Sequence, residues 1–335
     1  MLPDSYTLPP RLHNAQGDER KVGFEIEFSG LKIDRIAAIL VDLYGGEIEA
    51  VTPYKYKIRE SAHGTFGVEL DFRFLKEELL KEELASLGIN DGEELKIVRQ
   101  IEELIATLSE TVVPYEIATP PILISRLGVL DALEERLRQA GALGTDASLV
   151  YAFGLHINPE VPSFDVEVLL RYFRAFLILY EWLVYINKTD ILRRITPYIR
   201  PFEKAYVAMV LQEDYRPDLE HFIDDYLIFN PTRNRPLDML PLFKFIDSAR
   251  VTRVLDDPRI SARPTFHYRL PDCRIDREVH NLAHAWNGWV EVEKLAEDST
   301  LLERYAQQYL AYLEDPFSIF EESWALQIER MRNGG

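Results

Sequence analysis

Between residues 22 and 28 apolar and polar positions alternate strictly: Val22, Phe24, Ile26 and Phe28 fall on one side, Gly23, Glu25 and Glu27 on the other. A period of two predicts a half-buried strand with one face on a core. The pattern returns in HGTFGVELDF, where Val68, Leu70 and Phe72 alternate with Gly67, Glu69, Asp71 and Arg73. In TVVPYEIATPP, Val113, Tyr115 and Ile117 point one way and Glu116 the other, until Pro120 and Pro121 stop the strand. FGLHINPE sets His156 and Asn158 against Leu155 and Ile157, and RPTFHYRL sets Thr265, His267 and Arg269 against Phe266, Tyr268 and Leu270.

Between the strands the period changes. DRIAAILVDLYGG reads as a short helix with Asp34 near its start and Gly45 and Gly46 at its C-terminal end. EIEAVTPYKYKIRES is expected to pair with HGTFGVELDF, with His63 and Gly64 in the turn. Residues 74 to 110 read as a charged helical insertion in two pieces broken by GINDGEE; in the second, Leu95, Val98, Ile101, Leu104, Ile105 and Leu108 recur at threes and fours. Another helix is expected over about 126 to 140, and a long aromatic-rich one over 165 to 187, whose aromatic stripe is a core face. Residues 276 to 332 form a helical closing region. The expected organisation is an N-terminal extension, 1–19, and a single catalytic domain, 20–335. Hairpins and helices without regular βαβ spacing point to an α+β fold with a largely antiparallel sheet, flanking helices and a helical C-terminal half.

Composition narrows the class. The chain has 335 residues and 47% hydrophobic content, enough for a sizeable core. The most apolar stretch, VLLRYFRAFLILYEWLVYI, carries Arg171, Arg174 and Glu181, so no membrane partner is expected. The first residues show no basic region followed by an apolar core, which makes the cytoplasm the expected location. A formal net charge of −18 argues against a nucleic-acid partner, because a nucleic-acid groove needs a basic stripe. Cys273 is the sole cysteine, so neither an intrachain disulfide nor a thiolate cluster can form.

The chemistry lies on the polar faces. Glu25 and Glu27 repel one another unless neutralised, and a divalent cation is the usual neutraliser of close carboxylates. The alternative is a solvated strand face. Ordinary solvent faces mix Lys, Thr, Ser and Gln with acids, whereas these offer Glu, Asp, His and Arg, the types that hold cations and phosphate. Two basic loops follow, LRRITPYIRPF with Arg193, Arg194 and Arg200, and FNPTRNRPLDMLPLF with Arg233, Asn234 and Arg235. Arg193 and Arg194 suit a helix C-terminus as well as phosphate. NPTRNRP is too proline-rich for a helix and places Arg233 and Arg235 on a loop suited to nucleotide contact. His280 and His284 are spaced i, i+4 but lack an accompanying glutamate, so packing or exposure is the expected role; His221 reads as a surface residue. Phosphate-cradling glycine motifs are absent from the sequence.

Taken in order, GFEIEF, GVELD, YEIATPP, GLHIN, an arginine- and asparagine-bearing loop and TFHYR resemble the amidoligase family, which belongs with carboxylate–amine ligases of the glutamine synthetase and glutamate–cysteine ligase type. The resemblance spans residues 20 to about 276. It implies a curved antiparallel sheet of glutamine synthetase-like type whose concave face binds ATP and two or three magnesium or manganese ions. The implied activity is ATP-dependent amide or peptide-like bond formation through an acyl phosphate. The implied substrates are a small-molecule or peptide carboxylate and an amine or ammonia, the latter deliverable by a glutamine amidotransferase-type partner. Carried over by position, Glu25, Glu27, Glu69, Glu116, His156 and His267 are the expected metal ligands. Arg269, His156 and Arg233 are the expected catalytic residues, and Arg269, Arg233, Arg235, Arg193 and Asn234 the expected nucleotide contacts. His267 departs from the family's usual glutamate, and imidazole suits manganese or zinc better than magnesium. The stretch YKYKIRES lacks an expected tryptophan and aspartate, leaving Lys57 and Arg59 as surface residues or substrate contacts. A metal-dependent phosphotransferase and a nucleotide-binding protein impaired by His267 are the alternative functions.

Overall fold

A computed structural model describes residues 2–70, 114–145, 153–189, 199–277, 281–317 and 322–332. The expected helical insertion, and with it Asp71 and Arg73, lies outside these residues, as do Arg193, Arg194 and His280. Seven strands form one sheet: β1 (Lys21–Phe28), β2 (Glu47–Thr52), β3 (Lys55–Ser61), β4 (Gly64–Leu70), β5 (Tyr115–Ala118), β6 (Ile122–Leu123) and β7 (Leu155–Pro159). The order is β2-β3-β4-β5-β1-β6, with β7 also paired to β1, and every pairing is antiparallel. Pro120 and Pro121 divide β5 from β6. The first pairs with β1 at Glu25–Phe28, the second at Lys21–Val22. The mixed α+β class and the antiparallel sheet are as the sequence predicts. The sheet itself is uncurled, where the resemblance implied a curved one.

EIEAVTPYKYKIRES folds as two strands rather than one. Pro53 cannot donate to a ladder, and the chain turns at Pro53–Tyr54 into the β2–β3 hairpin. Both strands are more exposed than the rest of the sheet; β2 is exposed throughout. The TFHYR segment is extended but joins the sheet through isolated bridges, Glu160 to Thr265 and Ile157 to Tyr268. It exchanges Ile157 N–H to Tyr268 O (2.8 Å) and Tyr268 N–H to Ile157 O (2.9 Å) with β7. On its other side Arg269 N–H donates to Pro236 O and Asp238 N–H to His267 O, both at 2.9 Å. The segment is thus held between β7 and the 236–238 loop.

Ten α-helices lie among the described residues. Helix α1 (Ile33–Tyr44) buries Ile36, Ala37, Ile39 and Leu40, packs on β3 and β4, and stops at Gly45 and Gly46, both with positive φ. A 3-10 turn over Ile124–Leu130 leads into α2 (Asp131–Ala140), which ends at left-handed Gly141. Helix α3 (Val166–Asn187) is capped by Asp165, whose carboxylate accepts from the N–H groups of Glu167 and Val168. Then come α4 (Lys204–Leu211), α5 (Leu219–Phe229), α6 (Leu240–Ile246), α7 (Ser248–Val254), α8 (Asn281–Glu297), α9 (Ser299–Glu314) and α10 (Trp324–Arg332). Helix α3 packs against α8, α9 and α10, and its aromatics are core: Phe173 meets Phe202, Tyr206, Phe222 and Tyr226. No helix among the described residues is long and apolar enough to cross a membrane. The N-terminal segment lies on α8, where Asn287 Nδ2 donates to Pro3 O and Ser5 O and Trp286 Nε1 donates to Thr7 O, all at 2.8 Å.

Candidate metal centre

Strand β1 lies with Val22, Phe24, Ile26 and Phe28 in the core, each at most 1% exposed, which turns Gly23, Glu25 and Glu27 to the opposite face. Register then assembles the polar row. Glu25 pairs with His156 of β7 on one side and with Ala118 of β5 on the other, while Glu27 pairs with Glu116, and Glu116 in turn with Glu69 of β4. Like charges directly opposite on one face are destabilising. The sheet offsets part of this: Gly154 N–H donates to Glu27 Oε2 at 2.6 Å, and Glu69 is ion-paired to Lys55 near the solvent end of the row.

The closest convergence is around Glu25. His156 Nδ1 lies 3.0 Å from Glu25 Oε2, His156 Nε2 lies 3.7 Å from Glu27 Oε1, and His267 Nε2 lies 3.5 Å from Glu25 Oε2. The two imidazoles meet edge to face with centroids 5.3 Å apart. One ligand atom each from Glu25, His156 and His267 fit within 4.8 Å of one another. Glu25 Oε1 also accepts from Asn158 Nδ2 and from an Arg263 terminal nitrogen, both at 3.1 Å.

Protonation suits ligation. Burial pushes the Glu25 carboxyl upward, but His267, the His156 contact and Arg263 outweigh it and hold the group well below the usual carboxylate range. Burial pushes His156 well below the usual imidazole range, aided by the charges of Arg269 and His267 and opposed by Glu25. The site therefore presents an ionised carboxylate and a neutral imidazole near pH 7.

A cation fits these residues. His267 is 2% exposed and neither ring nitrogen makes a hydrogen bond. Its separation from Glu25 is longer than a hydrogen bond and close to the spacing of two ligands on one ion, about 3 to 3.4 Å for metal–ligand bonds near 2.1 Å. The donor set of one carboxylate and two imidazoles would hold manganese, zinc or iron more readily than magnesium.

The other expected residues are distributed unevenly. Arg269 is buried, its charge helps lower His156, and it donates to the carbonyl of Arg233. Arg235 is turned inward: its guanidinium donates to the carbonyls of Pro201, Arg200 and Phe229 and lies over the Phe202 ring. These contacts hold the guanidinium against the 200–202 segment and the end of α5. Asn234 accepts from Arg200 N–H through its backbone, with no side-chain contact that marks a ligand. His284 bonds Ile186 O at 3.2 Å and His221 sits exposed beside Asp218, in keeping with the packing and surface roles expected of them.

Two residues escaped the sequence reading. Arg263 has the same period as Thr265, His267 and Arg269, and extending that alternation two residues back finds it. Asp238, fully buried, lies with Oδ2 at 3.5 Å from His267 Nδ1. Nothing in the local sequence pairs it with His267; only the folded loop does. Beside Glu25 opens a cleft of about 410 Å³, lined by Lys21, Gly23, Asn158, Arg263 and Thr265 among others, within the size range of small-ligand sites. A Cβ at Gly23 would meet nothing closer than 3.8 Å.

No curated protein matches the chain. One family does: the sequence model described as "Putative amidoligase enzyme" matches residues 18–291, a span that contains β1 to β7, both histidines and the arginine loop. The chain belongs to that amidoligase family.

Proposed function

We propose that the protein is an ATP-dependent carboxylate–amine ligase whose centre is the Glu25–His156–His267 cluster. The observation that carries this reading is the convergence of these three side chains, one ligand atom each within 4.8 Å of one another, on the polar face of the sheet that the family match spans. In the proposed reaction a substrate carboxylate oxygen attacks the γ-phosphorus of ATP and ADP leaves. An amine nitrogen then attacks the acyl carbon, loses a proton and expels inorganic phosphate. A divalent ion held by Glu25, His156 and His267, with Glu27 and Glu116 next to it in the row, would neutralise phosphate charge during transfer.

The chain's own residues do the rest. Arg269, fixed by the Arg233 carbonyl, offers a guanidinium to the phosphoryl group. Arg263 and Lys21 place positive charge beside the cleft, where an acceptor carboxylate can be oriented next to Glu25. The test is product analysis: ATP consumed only in the presence of a carboxylate and an amine, with stoichiometric amide, ADP and phosphate, supports the ligase. A stable phosphorylated product in place of the amide would replace it with a phosphotransferase.

A further inference from the structure

Asp238 is fully buried in the described fold, and its two oxygens have different partners. Oδ1 accepts from Leu240 N–H at 3.0 Å, at the start of α6, while Oδ2 makes no hydrogen bond and faces His267 Nδ1 at 3.5 Å. The backbone fixes this pairing, because Asp238 N–H donates to His267 O at 2.9 Å. On the far side of the ring, Nε2 faces Glu25 Oε2. His267 therefore stands between two carboxylates, each able only to accept when ionised. A cation bound between Nε2 and Glu25 Oε2 would leave the ring a single proton, on Nδ1, directed at Asp238. A carboxylate that accepts the second ring N–H of a ligating histidine fixes the tautomer and ring orientation and raises ligand basicity, and Asp238 Oδ2 needs to close only a few tenths of an ångström to accept from Nδ1.

We propose that Asp238 is a positioning residue that fixes His267 as a metal ligand through Nε2, and that Glu25, His156 and His267 thereby favour ions that accept imidazole nitrogen, zinc first and manganese after it, over magnesium. The selectivity belongs to the donor set, since imidazole suits such ions and magnesium prefers oxygen. The proposal rests on the metal centre described above but not on the ligase reaction.

The experiment is calorimetric titration of the metal-free full chain with zinc, manganese and magnesium chlorides, with thermal unfolding recorded for every variant. Asp238→Asn keeps an oxygen for Leu240 N–H but loses the carboxylate toward His267, so it separates positioning from capping. The expected result is a loss of zinc and manganese affinity of about 10- to 100-fold in Asp238→Asn, the usual cost of removing such a partner, with little change in unfolding. In His267→Glu, the ratio of zinc to magnesium affinity is expected to fall at least about tenfold, and adding Asp238→Asn in that background is expected to cost no further affinity. Unchanged zinc affinity in Asp238→Asn, or an equal loss in the His267→Glu background, overturns the positioning role. An unchanged zinc-to-magnesium ratio in His267→Glu overturns the selectivity. Absence of binding by any of the three ions in folded wild type removes the metal centre itself, leaving the family membership untouched.

Discussion

Arg20, immediately before β1, is 0% exposed, and its guanidinium makes a two-point pair with Glu293 of α8 at 2.7 Å and 2.7 Å. Its remaining donors reach the carbonyls of Glu160 and Arg11, while Trp289 Nε1 donates to Glu293 from the other side. The pair ties the strand that carries Glu25 to the helical half of the molecule. Removing one partner of a buried pair strands the other charge, so Arg20→Ala is expected to lose about 3–5 kcal/mol in urea denaturation. A loss below about 1 kcal/mol would mean that water reaches Glu293. The sequence places Arg20 at the edge of a strand and says nothing of Glu293, which is 273 positions away. The same limit hid Asp238, whereas Glu25, His156 and His267 were legible because strand alternation alone assigns them to polar faces.

Elements were legible where the local code is strong. Helix α1 ends as its glycines predict, and Gly46 has a φ of +93°. A Cβ at Gly46 would stand 2.3 Å from Arg59 O, so Gly46→Ala is expected to destabilise the chain by more than about 1 kcal/mol, read as a lowered melting temperature. An unshifted transition would show that β3 can yield at Arg59. Helix α3 begins at Asp165 as expected, and Asp165→Ala is expected to cost about 0.5–2 kcal/mol through loss of the cap, with Asp165→Asn largely sparing it; equal losses in both would point to charge instead. What local pattern missed was the break at Pro53–Tyr54, read as one strand although proline marked it. It also missed the state of TFHYR, whose partners on both sides are loop or strand segments distant in sequence. Alternation in TFHYR named the right face without naming the neighbours.

At the scale of the whole molecule, the sheet carries the site and the helical half clamps it. The clamp includes the segment from Pro3 to Thr7, which is pinned by Asn287 and Trp286. Asn287→Ala leaves the carbonyls of Pro3 and Ser5 and the N–H of Thr7 without this partner, for an expected cost of about 1–3 kcal/mol, and residues 2–8 are expected to become the first site of proteolysis. Resistance equal to wild type would show that other contacts suffice. Charge also acts at this scale: a formal −18 repels a free nucleotide, so the proposed nucleotide capture depends on a cation at the carboxylate face. Calorimetric titration of ATP with manganese present, in wild type and in Glu25→Ala, measures that dependence directly. Binding in wild type is expected to require manganese, and Glu25→Ala to weaken it by at least about tenfold. Metal-independent binding, or equal binding in folded Glu25→Ala, would contradict that dependence.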